Sequence, residues 1–518
     1  MDWKERLEKL DFESMLEEKI LFPFVFSIYF VLSVYQHNIE QVPLTELIRP
    51  LFIAILGTGI AYGLLKQFIE KKKAGFIILF SGISFTTYSL QLSYILSPLE
   101  PILIFGIEIT RRRYLILANI ILLLIIFNYL LKKDFSLKEP VKIANMVTII
   151  LLLIVGSGIA TSSMGESTSD LENNLEIQGS DINNSQPSIY YIIPDKYARS
   201  DVLNEQYNFN NSPFLNSLEE KNFSVEEDSY TNYPSSYASL SSSLNMQYLQ
   251  DMGVGSNTKQ RDVATLLQDH QVQKFLKSMN YSYHHIGLNY RPTAYNENAD
   301  NNINLMRINF GGIGLNEFET NLLQNTPVIQ ALNKVTSQRD KVTGNIDSFR
   351  EIQKISKRPG KKFVFAHTMI PHQPYVLDED LNKVSQHREN LSRREKYVQQ
   401  VKGTNNILNE TVEKILENEE NPVIIIQSDE GPSAKKAPES FSEADNEYLK
   451  RRTAILFSHH TPEINNEKFH EGITPVNIFR VIFNEQFNTE LEILEDKTYY
   501  LDGGAGHQFF RVNTTDFN

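Results

Sequence analysis

The sequence predicts an α-helical membrane domain of five crossings followed by an extracytoplasmic α/β domain, its sheet mostly parallel with helices on both faces. Three observations carry this expectation. Five apolar stretches are confined to the first 160 residues. Short β-branched runs then alternate with helical patterns from residue 188 onward, the signature of a parallel sheet with crossover helices. Three of those runs end in carboxylates or a histidine, at the sheet edge where α/β proteins place their ligands.

The apolar stretches cover residues 20–35, 47–65, 75–96, 114–131 and 143–160. Most approach the roughly 20 residues that cross a bilayer core; the first is short and carries Pro23. Lys66 with Lys71, Lys72 and Lys73 marks one cytoplasmic loop, and Lys132, Lys133, Lys138 and Lys142 mark another. Residues 37–46 carry no Lys or Arg and are expected outside. Five crossings with the amino terminus in the cytoplasm put everything after Ala160 outside it. Arg111, Arg112 and Arg113 oppose this count unless they lie at the outer interface against lipid phosphates. The first segment follows an acidic stretch and lacks a small-residue cleavage site, so it does not read as a signal peptide.

Residues 161–187 turn to Ser, Asn, Gly, Asp and Glu without periodicity, a flexible tether. The rest, 188–518, is long enough for one large domain. A net charge of -13 argues against nucleic acid as a partner. With no cysteine there is no disulfide, thiolate nucleophile or Cys-based zinc site, which fits an exported bacterial protein. Mean hydropathy of -0.29 averages two unlike halves.

Within 188–518 the expected strands are Ser188 to Pro194, ending at Asp195; Tyr281 to Ile286; Lys362 to Ala366, ending at His367; Val423 to Ile426, ending in Asp429-Glu430-Gly431; and Thr453 to Phe457, ending near His459 and His460. Helical spacing appears around Phe214, Leu215 and Leu218, and again from Val263 to Leu276. A further helix opens on the capping box Ser392-x-x-Glu395 and carries Tyr397, Val401, Leu408, Val412 and Ile415. In a parallel sheet Asp195, His367 and Asp429-Glu430 share one edge. The adjacent hard oxygens of Asp429 and Glu430 suggest a divalent cation; alone, Asp429 would merely cap a turn. A Ser-rich segment, Ser229 to Asn245, runs from loop into helix at Ser235 and Ser236. Such a start offers backbone N–H groups and a dipole that stabilise an anion.

Together these pieces resemble the alkaline phosphatase/sulfatase superfamily, and within it the membrane-anchored branch of lipoteichoic acid synthases and phosphoethanolamine transferases. The resemblance implies a sulfatase-like outer domain with Asp195 as a metal ligand ending its first strand. It implies that Ser236, opening Ser236-Tyr-Ala-Ser239, is the nucleophile where the family usually has Thr; Ser235 is the alternative. Ser428-Asp429-Glu430-Gly431 stands where the family has Ser/Gly-Asp-His-Gly. His367-Thr-Met-Ile-Pro-His372-Gln-Pro-Tyr375 matches the family's His-x-x-x-x-His-x-Pro-Tyr, implying that His372 binds phosphate or substrate and His367 lines the site. Glu430 in place of His gives a ligand set of Asp195, Ser236, Asp429 and Glu430, and this oxygen set suits Mn²⁺ or Mg²⁺ better than Zn²⁺.

The activity implied is transfer of phosphoglycerol or phosphoethanolamine from a membrane lipid to a cell-envelope polysaccharide or glycolipid at the bacterial plasma membrane. The Tyr- and Asn-rich residues 290–302 would receive a glycan, or simply form a surface loop. His459, His460 and His507 are expected at the surface or behind the ligands. Two alternatives remain at this point: a sulfatase-like hydrolase or phosphodiesterase, and a non-catalytic glycan-binding membrane protein. Sulfate-ester cleavage by formylglycine is disfavoured, because Ala238 and Leu240 occupy the Pro and Arg positions of the Cys/Ser-x-Pro-x-Arg signature.

Overall fold

The structure is a computed structural model describing residues 16–517, with residues 40, 92–101, 105–106, 110, 133–135, 165–170, 172–174, 180–186, 289, 305–308, 311–312, 325, 329–340, 385–389, 434–437, 439 and 503–506 outside the description. By packing the chain divides into two units, Met1–Glu166 with Ile308–Gln338, and Ser167–Arg307 with Arg339–Asn518.

In the first unit each of the five apolar stretches forms a helix: Phe22–His37, Ile48–Leu65, Lys71–Thr86, Arg111–Lys132 and Lys138–Met164. The end of the third stretch, residues 92–96, and parts of the expected tether lie outside the described residues. Among the described residues, three helical spans, Leu44–Leu65, Tyr114–Lys132 and Lys138–Ser162, are long and apolar enough to cross a membrane; Phe22–His37 is a shorter apolar helix. Pro23 falls in the first turn of Phe22–His37, where a missing N–H breaks no helical bond. The orphan N–H groups of Leu21 and Phe22 are taken by the buried Asn145 Oδ1, at 3.1 and 2.8 Å.

Ile308–Gln338 lies in sequence within the stretch read as the second domain, yet it packs with the first unit. The cause is local chemistry. Phe318 and Leu322 bury against Val31, Tyr35 and Leu47, and the Glu319 carboxylate accepts from Arg49 Nε and Nη2, one edge of the guanidinium.

The second unit is built on a seven-stranded sheet. Its spatial order is Ser224–Val225, Phe457–His460, Val423–Gln427, Ile189–Pro194, Lys362–Thr368, Ser282–Gly287, Asn301–Asn304. From Val423 outward to Asn301 all neighbours are parallel. The Ile189 strand is central and buried throughout. Tyr190 and Ile192 feed the core on one face, while Ile189, Tyr191 and Ile193 feed the other, the alternation a doubly covered sheet requires. The helix Arg393–Asn418 covers one face and starts on the predicted capping box.

Two local expectations are corrected. The helical pattern from Val263 to Leu276 is two helices, Gln260–Thr265 and Gln271–Ser278; His270 caps the second by accepting the Gln273 N–H. The strand expected at Thr453 to Phe457 is instead Phe457–His460 and runs antiparallel, pairing Gln427 with Phe457 and Ile424 with His460. Thr453 ends the preceding helix, Asn446–Thr453. Reversal carries His459 and His460 toward the start of the Val423 strand, away from Asp429.

Candidate active site

Register decides which strand-end groups meet. Ile193 pairs with His367 and Pro194 with Thr368, so Asp195 leaves its strand beside His367, its N–H bonded to the Thr368 carbonyl at 2.9 Å. Ile192 pairs with Ile426, which brings Asp429 to the same edge. Ligand atoms of Asp195, His367 and Asp429 all lie within 4.8 Å of one another, and all three side chains are buried. His367 Nε2 is 3.7 Å from Asp429 Oδ2.

The turns that hold these groups are tightly specified. Ser428 Oγ accepts the Tyr197 N–H at 2.8 Å and donates to the Glu430 carbonyl at 2.9 Å. The Thr231 hydroxyl donates to the Asp429 carbonyl at 2.7 Å, tying the Ser-rich segment to the same turn. Gly431 is required, since a Cβ there would collide with the Arg451 carbonyl. Lys196 follows Asp195 with a left-handed φ of 62°.

Ser236 is the first residue of the helix Ser236–Asn245, with Ser235 as its extended N-cap. Ser236 Oγ donates to Glu430 Oε1 at 3.4 Å, and the same hydroxyl also bears on the Asp429 carboxylate. Glu430 is further engaged: Lys196 Nζ lies 3.3 Å from Oε1, and the buried Arg452 guanidinium grips Oε2 while donating to the Gly431 and Pro234 carbonyls. The structure therefore brings together Asp195, Ser236, His367, Asp429 and Glu430. His372 is half-buried and lines an adjoining hollow with Lys196, Gln373, Tyr375, Arg393 and Tyr397.

Electrostatics separates the acids. Burial, with Asp429 and Glu430 nearby, raises Asp195 well above the usual carboxylate range. Burial and Glu430 push Asp429 up to about 6. Burial also opposes charge on Glu430, but Arg452 and Lys196 outweigh it and hold that carboxyl below its ordinary value. Burial, followed by His372 and His285, brings His367 down to about 3, so its imidazole is neutral with a lone pair to offer.

Among the described residues, Asp195 Oδ1, His367 Nε2 and Asp429 Oδ2 are buried without a hydrogen-bond partner. Buried polar atoms are seldom left so, and three of them facing one another is the pattern a cation completes. Two carboxylates and a neutral imidazole fit a divalent ion.

Several contributors carried no signal in the linear sequence. Lys196 and Arg452 look like ordinary surface cations there. Thr293 Oγ1 meets His367 Nδ1 at 2.7 Å, and the Tyr290 ring packs edge-on against His367 with centroids 5.7 Å apart. Both come from 290–302, which here contributes a 3-10 turn, Arg291–Thr293, and the edge strand Asn301–Asn304. His507, expected at the surface or behind the ligands, is buried; its Nδ1 meets the Thr258 carbonyl at 2.7 Å and its Nε2 meets the Tyr237 hydroxyl at 2.9 Å. His459 is buried against Phe469 and lies 3.2 Å from Glu226.

The family model described as Sulfatase matches residues 187–483, more than half of the chain. This chain belongs to the sulfatase family. Its matched segment spans the sheet from Ile189 to His460, with every strand-end group above inside it. No curated protein matches the sequence. Among solved structures, the zinc complex of the C-terminal periplasmic domain of EptC from Escherichia coli is 12% identical, with a TM-score of 0.45, covering 65% of this chain and 96% of that one. The integral membrane protein lipooligosaccharide phosphoethanolamine transferase A from Neisseria meningitidis is 11% identical, with a TM-score of 0.39, covering 90% and 95%. Likenesses of this strength add no argument about substrate; the sulfatase assignment rests on the family match.

Proposed function

We propose that this sulfatase-family chain is a membrane-anchored, metal-dependent transferase that moves a phospho-group from a lipid headgroup to a cell-envelope glycan through Ser236. The observation that carries the reading is the meeting of three unpartnered buried ligand atoms with a hydroxyl at a helix amino terminus. Asp195 and Asp429 would hold a divalent cation; bound there, it supplies charge neutralisation of phosphoryl oxygens and a lowered hydroxyl pKa.

Ser236 Oγ attacks phosphorus, forming the Oγ–P bond as the bond to the diacylglycerol oxygen breaks, and the serine proton ends on that oxygen. An acceptor hydroxyl then attacks phosphorus, the Oγ–P bond breaks, and its proton returns to Ser236. N–H groups of the first helical turn face the developing charge. His372 holds a phosphate oxygen or carries the proton. A phosphoglycerol or phosphoethanolamine lipid suits a domain tethered to apolar helices. The same reading puts the amino terminus in the cytoplasm and the sheet outside. A single cysteine replacing Gln41 in this cysteine-free chain should react with an impermeant maleimide on intact cells; labelling only after permeabilisation would reverse the topology.

The full chain in detergent, given headgroup-labelled phosphatidylglycerol or phosphatidylethanolamine, is expected to release diacylglycerol only with a divalent ion present. Ser236→Ala should reduce that release by at least about 100-fold. Equal release by the variant would remove Ser236 from the chemistry. Headgroup released entirely as the free phosphate ester, with added glycan acceptor unmodified, would favour the hydrolase instead.

A further inference from the structure

We infer that His367, expected only to line the site, is the third protein ligand of the cation in place of Glu430, and that Glu430 instead orients the Ser236 hydroxyl. The inference rests on the phospho-transfer reading above and assigns the work within that site.

The two side chains differ in what already occupies them. His367 Nε2 is buried without a partner among the described residues and faces the equally unpartnered Asp195 Oδ1 and Asp429 Oδ2. Its other nitrogen meets Thr293 Oγ1, which fixes the ring plane and leaves Nε2 pointing at the acids. Thr293 is itself held, because its carbonyl accepts from His285 Nε2 at 2.8 Å. It can come this close because Gly287 has no Cβ; one there would strike the Thr293 and Ala294 carbonyls.

Glu430 is the reverse case. Lys196 and Arg452 already supply two positive charges to one carboxylate. A metal at Oε2 would have to displace a buried guanidinium that also ties down Gly431 and Pro234, and one at Oε1 would compete with Lys196 and the Ser236 hydroxyl. What remains available on Oε1 is the contact with the Ser236 hydroxyl. Arg452 thus joins the nucleophile's approach loop at Pro234 to the carboxylate that accepts from Ser236, and Lys196 secures the same carboxylate from the turn that carries Asp195. The resulting donor set is two oxygens and one imidazole nitrogen, for which zinc competes with manganese.

Metal-stripped full-length protein would be titrated with Zn²⁺ and Mn²⁺ by calorimetry, alongside His367→Ala, Glu430→Gln and Glu430→Asp. The rate at which Ser236 acquires phospho-label from headgroup-labelled phosphatidylglycerol or phosphatidylethanolamine would be read in parallel. His367→Ala should weaken the cation by more than about 100-fold, beyond the loss usual for an outer-sphere partner. Both Glu430 variants should keep cation affinity within about 3-fold while labelling of Ser236 slows at least about 10-fold. Glu430→Asp keeps the charge opposite Arg452, so it tests the contact in a chain whose ion pair can still form. His367→Gln serves in the same way if the alanine variant does not melt cooperatively. Cation loss on altering Glu430, or undiminished affinity without His367, would overturn the assignment while wild-type labelling still upheld the transferase. Wild-type protein that neither binds the ions nor labels Ser236 would defeat both.

Discussion

Thr293 shows how much one hydroxyl can decide at the scale of single residues. It contacts no reacting group, yet it sets the ring plane of His367. Thr293→Val keeps the shape and removes that contact, and should weaken divalent-cation binding by about 10–100-fold without unfolding the chain, as calorimetry would show. Undiminished affinity would mean the ring is held by packing alone. A pH effect follows from the same neighbourhood. His285 is buried, and because its Nε2 must donate to the Thr293 carbonyl, its Nδ1 accepts from the Tyr283 hydroxyl at 2.8 Å. Burial brings its pKa down to about 4. A histidine depressed on folding adds stability that is present above the unfolded value near 6.5 and is lost as pH falls toward 4, here on the order of 3 kcal/mol at most. In chelator, the raised carboxyls Asp195 and Asp429 work the opposite way in parent and variant alike, so the effect is read as a difference: His285→Gln should lose less melting temperature than the parent between pH 6.5 and 4. Asp195, Asp429 and Ser236 were legible in sequence because each follows a strand or opens a helix. Lys196, Arg452 and Thr293 were not, since their value comes from partners far away in the chain: Arg452 reaches Pro234 and Lys196 reaches Glu430.

At the scale of elements, alternation and length identified the parallel strands. Runs such as Val423 to Ile426 are apolar throughout because both faces are covered. The capping box at Ser392 was readable for the same local reason. Direction was not readable. Nothing in Phe457–His460 states that it runs antiparallel; that is fixed by its pairing with Ile424 to Gln427, and it removes two histidines from the reactive edge. The strand-to-turn junction at Gly431 carries a sharp prediction. Gly431→Ala places a methyl against the Arg451 carbonyl, should lower stability by about 1–3 kcal/mol, and should weaken the cation by displacing Asp429. Denaturant unfolding with and without metal would measure both effects. A variant as stable as the parent, with unchanged metal affinity, would show that the turn yields freely.

At the scale of the whole molecule, hydropathy separated amino-terminal apolar helices from a later α/β sheet, and elements of both kinds are present in that order. It did not foresee that Ile308–Gln338 packs with the first unit, because Phe318 and Glu319 only acquire meaning opposite Tyr35 and Arg49. The sulfatase family match likewise does not state which ester is cleaved, and Ala238 and Leu240 depart from the formylglycine signature. The central claim is that Ser236 becomes covalently phosphorylated by a lipid headgroup. Peptide mass spectrometry of the full chain, quenched in acid after exposure to headgroup-labelled phosphatidylglycerol or phosphatidylethanolamine, tests it most directly. A phospho-headgroup adduct on Ser236 that requires a divalent ion and vanishes with chelator is expected. Lipid consumed with that peptide unmodified, or the adduct found on Ser235, would contradict it.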